Sequence, residues 1–161
     1  MKLSTRTRYG VRLMLDLAVN RDRGQIFLKN IAREEDISEK YLSLIIIPLK
    51  RAGLVNSTRG ARGGYSLARD PAKITLEEIV AALEGGTCLV DCVKNSSSCP
   101  RSGRCASRDL WTIVSRSISH ALGSLTLEDL AKMSREKGDG AKDAPALRGS
   151  AAGTRKERQK E

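Results

Sequence analysis

The stretch from Phe27 to Leu67 restricts the fold more than any other part of the chain. Leu28, Ile31 and Ala32 recur at helical spacing, which predicts a short helix with that face buried. Asp36-Ile37-Ser38 predicts a tight turn, with Ser38 as N-cap of a second helix from Glu39 to about Ala52. In that helix Leu42, Ile45, Ile46 and Leu49 form the inward stripe. Lys40, Tyr41, Ser43, Lys50 and Arg51 are left outward or at its ends. Gly53 suits the stop, and Pro48 removes one ladder hydrogen bond and should bend the last turns. Val55 to Thr58 and Tyr65 to Leu67 are short apolar-polar segments around Arg59-Gly60-Ala61-Arg62-Gly63-Gly64. That is the pattern of a β-hairpin with a basic, glycine-rich tip.

Helix, turn, helix and basic hairpin together imply a mainly α fold with a small β-wing, a winged helix-turn-helix. In such a fold the second helix fills a major groove and its N-terminal residues meet base edges. The expected DNA contacts are Ser38, Lys40, Tyr41 and Ser43 in the helix and Arg59 and Arg62 in the wing, either arginine able to enter a minor groove. The three glycines of the tip would let the chain approach phosphates without Cβ clashes. The competing reading is a helical pair plus hairpin that serves only protein contacts.

Charge favours the first reading. A net charge of +10 and a pI near 9.8 imply a polyanionic partner and salt-sensitive binding. Aromatic residues make up only 3% of the chain, too few for a stacking platform, so duplex is favoured over single strands. Near the start, Asp16 interrupts the apolar run and no small-residue cleavage site follows, so neither a secretory leader nor a membrane span is expected. A cytosolic location is the expectation. No phosphate-binding loop, hydrolase motif or nucleophile–base set occurs, and one histidine leaves little general-base chemistry, so the chain does not read as an enzyme.

Elsewhere, Thr5 to Val19 predicts a first helix with Tyr9, Leu13 and Leu17 in one stripe, capped by Ser4 or Thr5. Arg6, Arg8 and Arg12 near its start suit phosphate contact or a solvated face. Asn20 to Gln25 is a polar turn. Thr75 to Glu78 is a capping box for a helix carrying Leu76, Ile79, Val80 and Leu83 and stopping at Gly85-Gly86. A longer helix begins at Ser107, where Trp111, Val114, Ile118, Ala121 and Leu125 make a heptad-like seam. A second copy covering that seam would make a symmetric homodimer reading a palindromic operator, whereas burial within the chain is the alternative. Thr126 caps a short last helix through Met133. The expected divisions are 1–84, a winged helix-turn-helix domain; 85–106, a cysteine-rich cluster-binding loop; 107–136, the dimerisation helix and short C-terminal helix; and 137–161, a disordered basic tail.

All four cysteines fall between Gly86 and Ala106: Cys88, Cys92, Cys99 and Cys105. Small polar residues between them make a strap able to wrap one metal centre, and Lys94, Arg101 and Arg104 favour thiolates, the ligating form. The spacing matches neither a zinc ribbon nor a CxxC pair, and differs from the common ferredoxin runs. The residues alone leave an iron–sulfur cluster, zinc, a redox-active thiol set and vestigial cysteines all open.

The arrangement resembles the Rrf-two family of bacterial transcription regulators. The resemblance covers roughly Met1 to Met133. It is carried by MKLSTRTRYGVRLMLDLA, ISEKYLSLIIIPLKRAGLV, STRGARGGYSLAR, ITLEEIVAALEG, the triplet Cys92, Cys99 and Cys105, and ALGSLTLEDLA. It implies winged-helix homodimers with the helix near Trp111 to Leu125 as the dimer seam. It also implies a 2Fe–2S or 4Fe–4S cluster on Cys92, Cys99 and Cys105 whose state alters operator affinity, in response to iron–sulfur supply, nitric oxide or oxidants. The cysteine-metabolism branch of the family implies the alternative, a cluster-free or zinc- or thiol-based regulator controlled by a partner protein. This chain departs from the pattern at the fourth ligand: the positions where relatives carry a histidine or a borrowed acid are Arg108 and Arg8. Arginine does not ligate iron. Cys88 is the remaining intrachain candidate, with Asp91 and Asp109 behind it, while His120 reads as a surface or interface residue.

Overall fold

A computed structural model describes residues 3–60 and 63–142, the last five of these by backbone alone. Among these residues seven α-helices and one two-stranded sheet follow in the order α1 (Thr5–Val19), α2 (Leu28–Glu34), α3 (Glu39–Arg51), β1 (Val55–Thr58), β2 (Gly64–Leu67), α4 (Leu76–Glu84), α5 (Asp91–Lys94), α6 (Ala106–Gly123) and α7 (Leu127–Lys142). The fold is mainly helical with a small antiparallel wing, as the residue pattern implies.

Local chemistry sets most boundaries. The Ser4 hydroxyl accepts from Thr7 N (3.1 Å) and starts α1, and Ser38 Oγ accepts from Tyr41 N (3.2 Å) and starts α3. Thr75 and Glu78 close a reciprocal capping box on α4. Between α2 and α3 the chain turns through Asp36, whose φ of 51 is a left-handed conformation that aspartate tolerates better than most residues. Pro48 lies inside α3, and the helix continues past it to Arg51.

One core joins these helices. Leu13, Met14 and Leu17 of α1 meet Ile31 of α2, Leu42, Ile45 and Leu49 of α3, and Ile79 of α4. Each is essentially inaccessible to water, and each would contribute about 1.5–3 kcal/mol by leaving it. Gly10 permits the close crossing at the centre: a Cβ there would strike Leu83 Cδ1 and come within 3.3 Å of Ile45 Cγ2.

The wing strands pair Val55 with Leu67 and Thr58 with Gly64. Ile26, expected in no regular element, exchanges two 2.9 Å backbone bonds with Tyr65 and ties the wing to the entry of α2.

The C-terminal helix departs furthest from expectation. It does not stop at Met133 but runs to Lys142, past the boundary expected at 136. Ala, Lys, Glu and Arg dominate its added turns, and these are strong helix formers that outweigh the glycines at 138 and 140. Nor does it form a unit with α6. Leu127 (0% exposed) and Ala131 belong to the core beside α1. Leu127 N donates to Ile74 O (2.8 Å) and Leu76 N to Leu125 O (2.9 Å), so α7 completes the winged-helix body. The tail beyond 142, Met1 and Lys2 lie outside the described residues.

Candidate nucleic-acid interface

The outward side of α3 and the wing form one surface. Ser38, Lys40 and Ser43 are exposed along the first half of α3. A cleft of about 480 Å³ runs between α3 and the wing, bordered by Lys29, Ser43, Lys50, Thr58, Arg59 and Tyr65 among others. Lys29, Lys50 and Arg59 outweigh the single carboxylate of Glu39 and make it electropositive, and its walls offer hydroxyls. That combination suits a sugar–phosphate backbone.

The expected contact residues divide on placement. Ser38, Lys40, Ser43 and Arg59 are solvent-accessible on this surface; Arg62 lies outside the described residues. Tyr41 is not outward. It is half-buried and meets Tyr9 of α1 edge to face, with ring centroids 5.9 Å apart. The reason is angular: position 41 lies about 100° from the exposed Lys40 and turns towards α1. Ser38 also uses its hydroxyl as the cap, leaving one lone pair and the proton for any ligand. Two residues the sequence pattern passed over, Leu44 and Ile47, are large, apolar and exposed on the same outward side.

The wing glycines serve the wing's own fold more than ligand approach. A Cβ on Gly63 would strike Thr58 O and come within 2.9 Å of Gly60 O, and one on Gly64 would lie 2.8 Å from Ile26 O. Only Gly60 of the three has open space beside it. On α1, Arg6 and Arg8 are exposed. Arg12 is engaged, paired with the Glu35 carboxylate and set over the Tyr9 ring at 5.7 Å.

Beneath this pair lies a crowded acidic corner. One Asp16 oxygen accepts from Asn20 Nδ2 (2.9 Å); the other, Oδ2, is buried without a partner. Burial first, then the neighbouring charge and hydrogen bonding of Glu34, push the Asp16 carboxyl up to about 6, with Glu35 adding to the effect and Asn20 opposing it. At the other end of α1, the buried Thr7 hydroxyl donates to Glu84 Oε1 (2.5 Å) and Ser4 N also donates to it (3.1 Å). Those bonds hold the Glu84 carboxyl below its usual range.

The cysteine strap leaves α4 at Gly85 and enters α6 at Ala106. The strap has local structure of its own: α5 and two single-turn 3-10 helices, Ser96–Ser98 and Ser102–Arg104, fold it. Polar ties fasten it at both ends. Lys94 Nζ donates to Gly85 O (2.9 Å), Leu89 N to Ser115 Oγ (3.2 Å) and Arg108 Nε to Cys92 O (2.8 Å). Cys92, Cys99 and Cys105 are half-buried and free, and Cys88 is exposed and free. In donor chemistry the three half-buried thiols fit a soft metal centre. Among the described residues, however, no group of three Cys, His, Asp or Glu side chains is drawn together to hold one ion. Arg108 occupies itself with the strap's backbone.

Helix α6 carries apolar residues on its outer side as well as its inner one. Its side towards α4 and the strap is mixed: Ser115 is buried and Ser119 Oγ bonds to the Glu77 carboxylate and to Thr87 Oγ1, while Ile118 and Leu122 line a cavity with Val80 and Leu89. Its outer side exposes Leu110 (54%), Trp111 (39%) and Ile113 (63%). The exposed stripe is thus rotated from the expected seam: Leu110 and Ile113 lie on it, while Ile118 is half-buried. Among the described residues no helix is long and apolar enough to cross a membrane.

Comparison with known proteins places this geometry. The model of a family described as "Rrf2: Iron-dependent Transcriptional regulator" matches residues 3–133. The protein named rrf2 of Nitratidesulfovibrio vulgaris is 39% identical over 132 residues, covering 82% of this chain and 88% of the relative. Among solved structures, CymR, the global cysteine regulator of B. subtilis, superposes with a TM-score of 0.68 at 39% identity, over 83% of this chain and 98% of that one. IscR of T. potens superposes with a TM-score of 0.69 at 39% identity, over 85% and 90%. With a match over most of its length and a winged helix-turn-helix fold shared with both structures, the chain belongs to the Rrf2 family of helix-turn-helix transcriptional regulators, and it is not an enzyme.

Proposed function

We propose that this regulator binds a palindromic duplex operator in the cytosol as a homodimer, and that its cysteine strap adjusts the binding to iron–sulfur, redox or nitrosative status. Ser38, Lys40 and Ser43 would meet base edges and the neighbouring phosphates, Arg59 and Arg62 the backbone or minor groove, and Tyr41 would brace α3 against α1. The exposed Leu110, Trp111 and Ile113 of α6 supply the face for a second copy, because an exposed apolar stripe of that size calls for a cover.

The observation that carries the sensing half is the strap's double attachment. It is bonded to the end of α4 through Lys94 and to α6 through Ser115 and Arg108. Whatever reshapes the strap therefore acts on the angle between α6 and the body that holds α3. An iron–sulfur cluster on Cys92, Cys99 and Cys105, with Cys88 as candidate fourth ligand, would supply a redox-responsive centre. The chain's own part is to bias two arrangements. A state-dependent difference of about 3 kcal/mol would change occupancy roughly a hundredfold.

One observation favours the thiol-based form of a second reading, a cluster-free or zinc- or thiol-based regulator under partner control: among the described residues the three cysteines are not gathered into a metal shell, and Arg108 binds the strap directly. Anaerobic purification with iron and acid-labile sulfide assays, joined to duplex binding before and after chelation, separates the two. Iron, sulfide and a change in affinity on their loss support the first; colourless protein whose binding follows thiol oxidation supports the second. Binding that is unchanged in the triple variant Cys92→Ala, Cys99→Ala, Cys105→Ala under every condition would refute both.

A further inference from the structure

The reading helix carries two large apolar side chains that the core does not use. Leu44 is 58% exposed and Ile47 43%. With Lys40 and Arg51 they repeat at i, i+4, i+7 and i+11, which lines them up on the side opposite the buried Leu42, Ile45, Ile46 and Leu49. A single exposed leucine needs no explanation. Two such residues one turn apart, at the centre of a helix face bracketed by cations, do.

Charge complementarity identifies the occupant. Lys40 and Arg51 flank the pair on the same face, and Lys29, Lys50 and Arg59 outnumber the one acid, Glu39, in the adjoining cleft, so the surface suits a polyanion. Duplex DNA is the polyanion that offers apolar groups where a helix can reach them, since the floor of its major groove carries the thymine 5-methyl. Duplex RNA offers neither: its major groove is too narrow for side chains to read, and uracil has no methyl. The geometry points to Leu44 and Ile47 as specificity-determining residues that pack on thymine methyl groups, while Lys40 and Arg51 at the ends of the stripe reach flanking phosphates. Ser43, beside them on the wing side, is left for hydrogen-bonded readout. Burying one methyl against an apolar side chain is worth about fourfold in affinity.

This inference rests on the duplex-binding reading above, and its test separates the two. The full-length protein selects sites from a random duplex library. Each thymine of the selected site is then replaced by deoxyuridine, which removes one methyl and nothing else. The expected result is a loss of about fourfold at one or more thymines in each half-site. Leu44→Ala or Ile47→Ala should bind the thymine and deoxyuridine duplexes equally at that position, while keeping the wild-type melting temperature because both side chains are exposed. Selection of a defined site that shows no methyl sensitivity, or variants that retain it in full, would overturn the inference and leave duplex reading intact. Failure to enrich any duplex would overturn both.

Discussion

Replacing Asp16 by asparagine should stabilise this protein at neutral pH and leave it unchanged in acid. The carboxyl is half-buried between α1 and α2, with Oδ2 unpartnered and Glu34 and Glu35 close by. Its pKa rises from an ordinary 3.8 to about 6. The folded state therefore holds this proton more tightly than the unfolded chain does. The stability that results is complete below pH 3.8 and is lost as pH rises through about 6. Two units correspond to about 3 kcal/mol at the limit, and partial exposure to solvent reduces this to roughly 1–2 kcal/mol. In Asp16→Asn the oxygen that accepts from Asn20 survives, and an amide nitrogen replaces the unpartnered oxygen and can donate to Glu34. At pH 7.5 the variant should gain about 1–2 kcal/mol, or roughly 3–6 °C in Tm for a folded region of this size. Urea and thermal unfolding at fixed protein concentration, from pH 3 to 8, would show the advantage shrinking as pH falls through about 6 and reaching zero below 3.8. An advantage of constant size across that range, or none at pH 7.5, would refute the electrostatic account.

Other substitutions probe the wing, the strap and the α1–α4 tie. Arg59→Ala should weaken duplex binding across sequences and lower the salt slope, measured by titration at several ionic strengths, by about one. Gly63→Ala forces a Cβ into the backbone at Thr58 and Gly60, so the wing must shift; DNA affinity should fall at least tenfold, the global unfolding free energy by no more than about 1–3 kcal/mol. Ser115→Ala leaves Leu89 N without its acceptor. It should cost about 1 kcal/mol and speed amide exchange at Leu89. Thr7→Val removes the donor that depresses Glu84. The Glu84 contribution to stability is present above its ordinary 4.5 and lost as pH falls through the lowered value, so the variant should show a shallower acid limb in pH-dependent unfolding.

The reading head was legible from the sequence because its signals are local. Ser38 caps α3, the inward stripe has period 3.6, and the wing's turn residues announce themselves, so each boundary depends on residues within a few positions of it. What escaped depends on distant partners. Nothing near Tyr41 tells that Tyr9 waits across the interface with α1. Nothing near Leu127 tells that Ile74 will accept its N–H, which is why α7 reads as an appendage and folds as core. The wing's turn residues signal a backbone that needs glycine, and only the folded chain shows that Thr58 O and Ile26 O are the atoms being approached.

The same limit explains the two apolar faces, on α6 and on α3. Spacing shows that a stripe exists and leaves open which side of the helix faces the body. On α6 the body side is mixed: Ser119 bonds to Glu77 of α4 and Ser115 to Leu89 of the strap, beside half-buried Ile118 and Leu122, and none of the apolar side chains of α6 is fully buried. Polar contacts of this kind exchange for water at a net difference of about 1 kcal/mol each, far less than an equal area of interlocked leucines would cost to separate. A helix held that way can change its angle to the body without dismantling the core, whereas α3, anchored by four fully or nearly buried aliphatic side chains, cannot. The division places stiffness in the helix that must present fixed groups to DNA, and compliance in the helix to which the cysteine strap is tied.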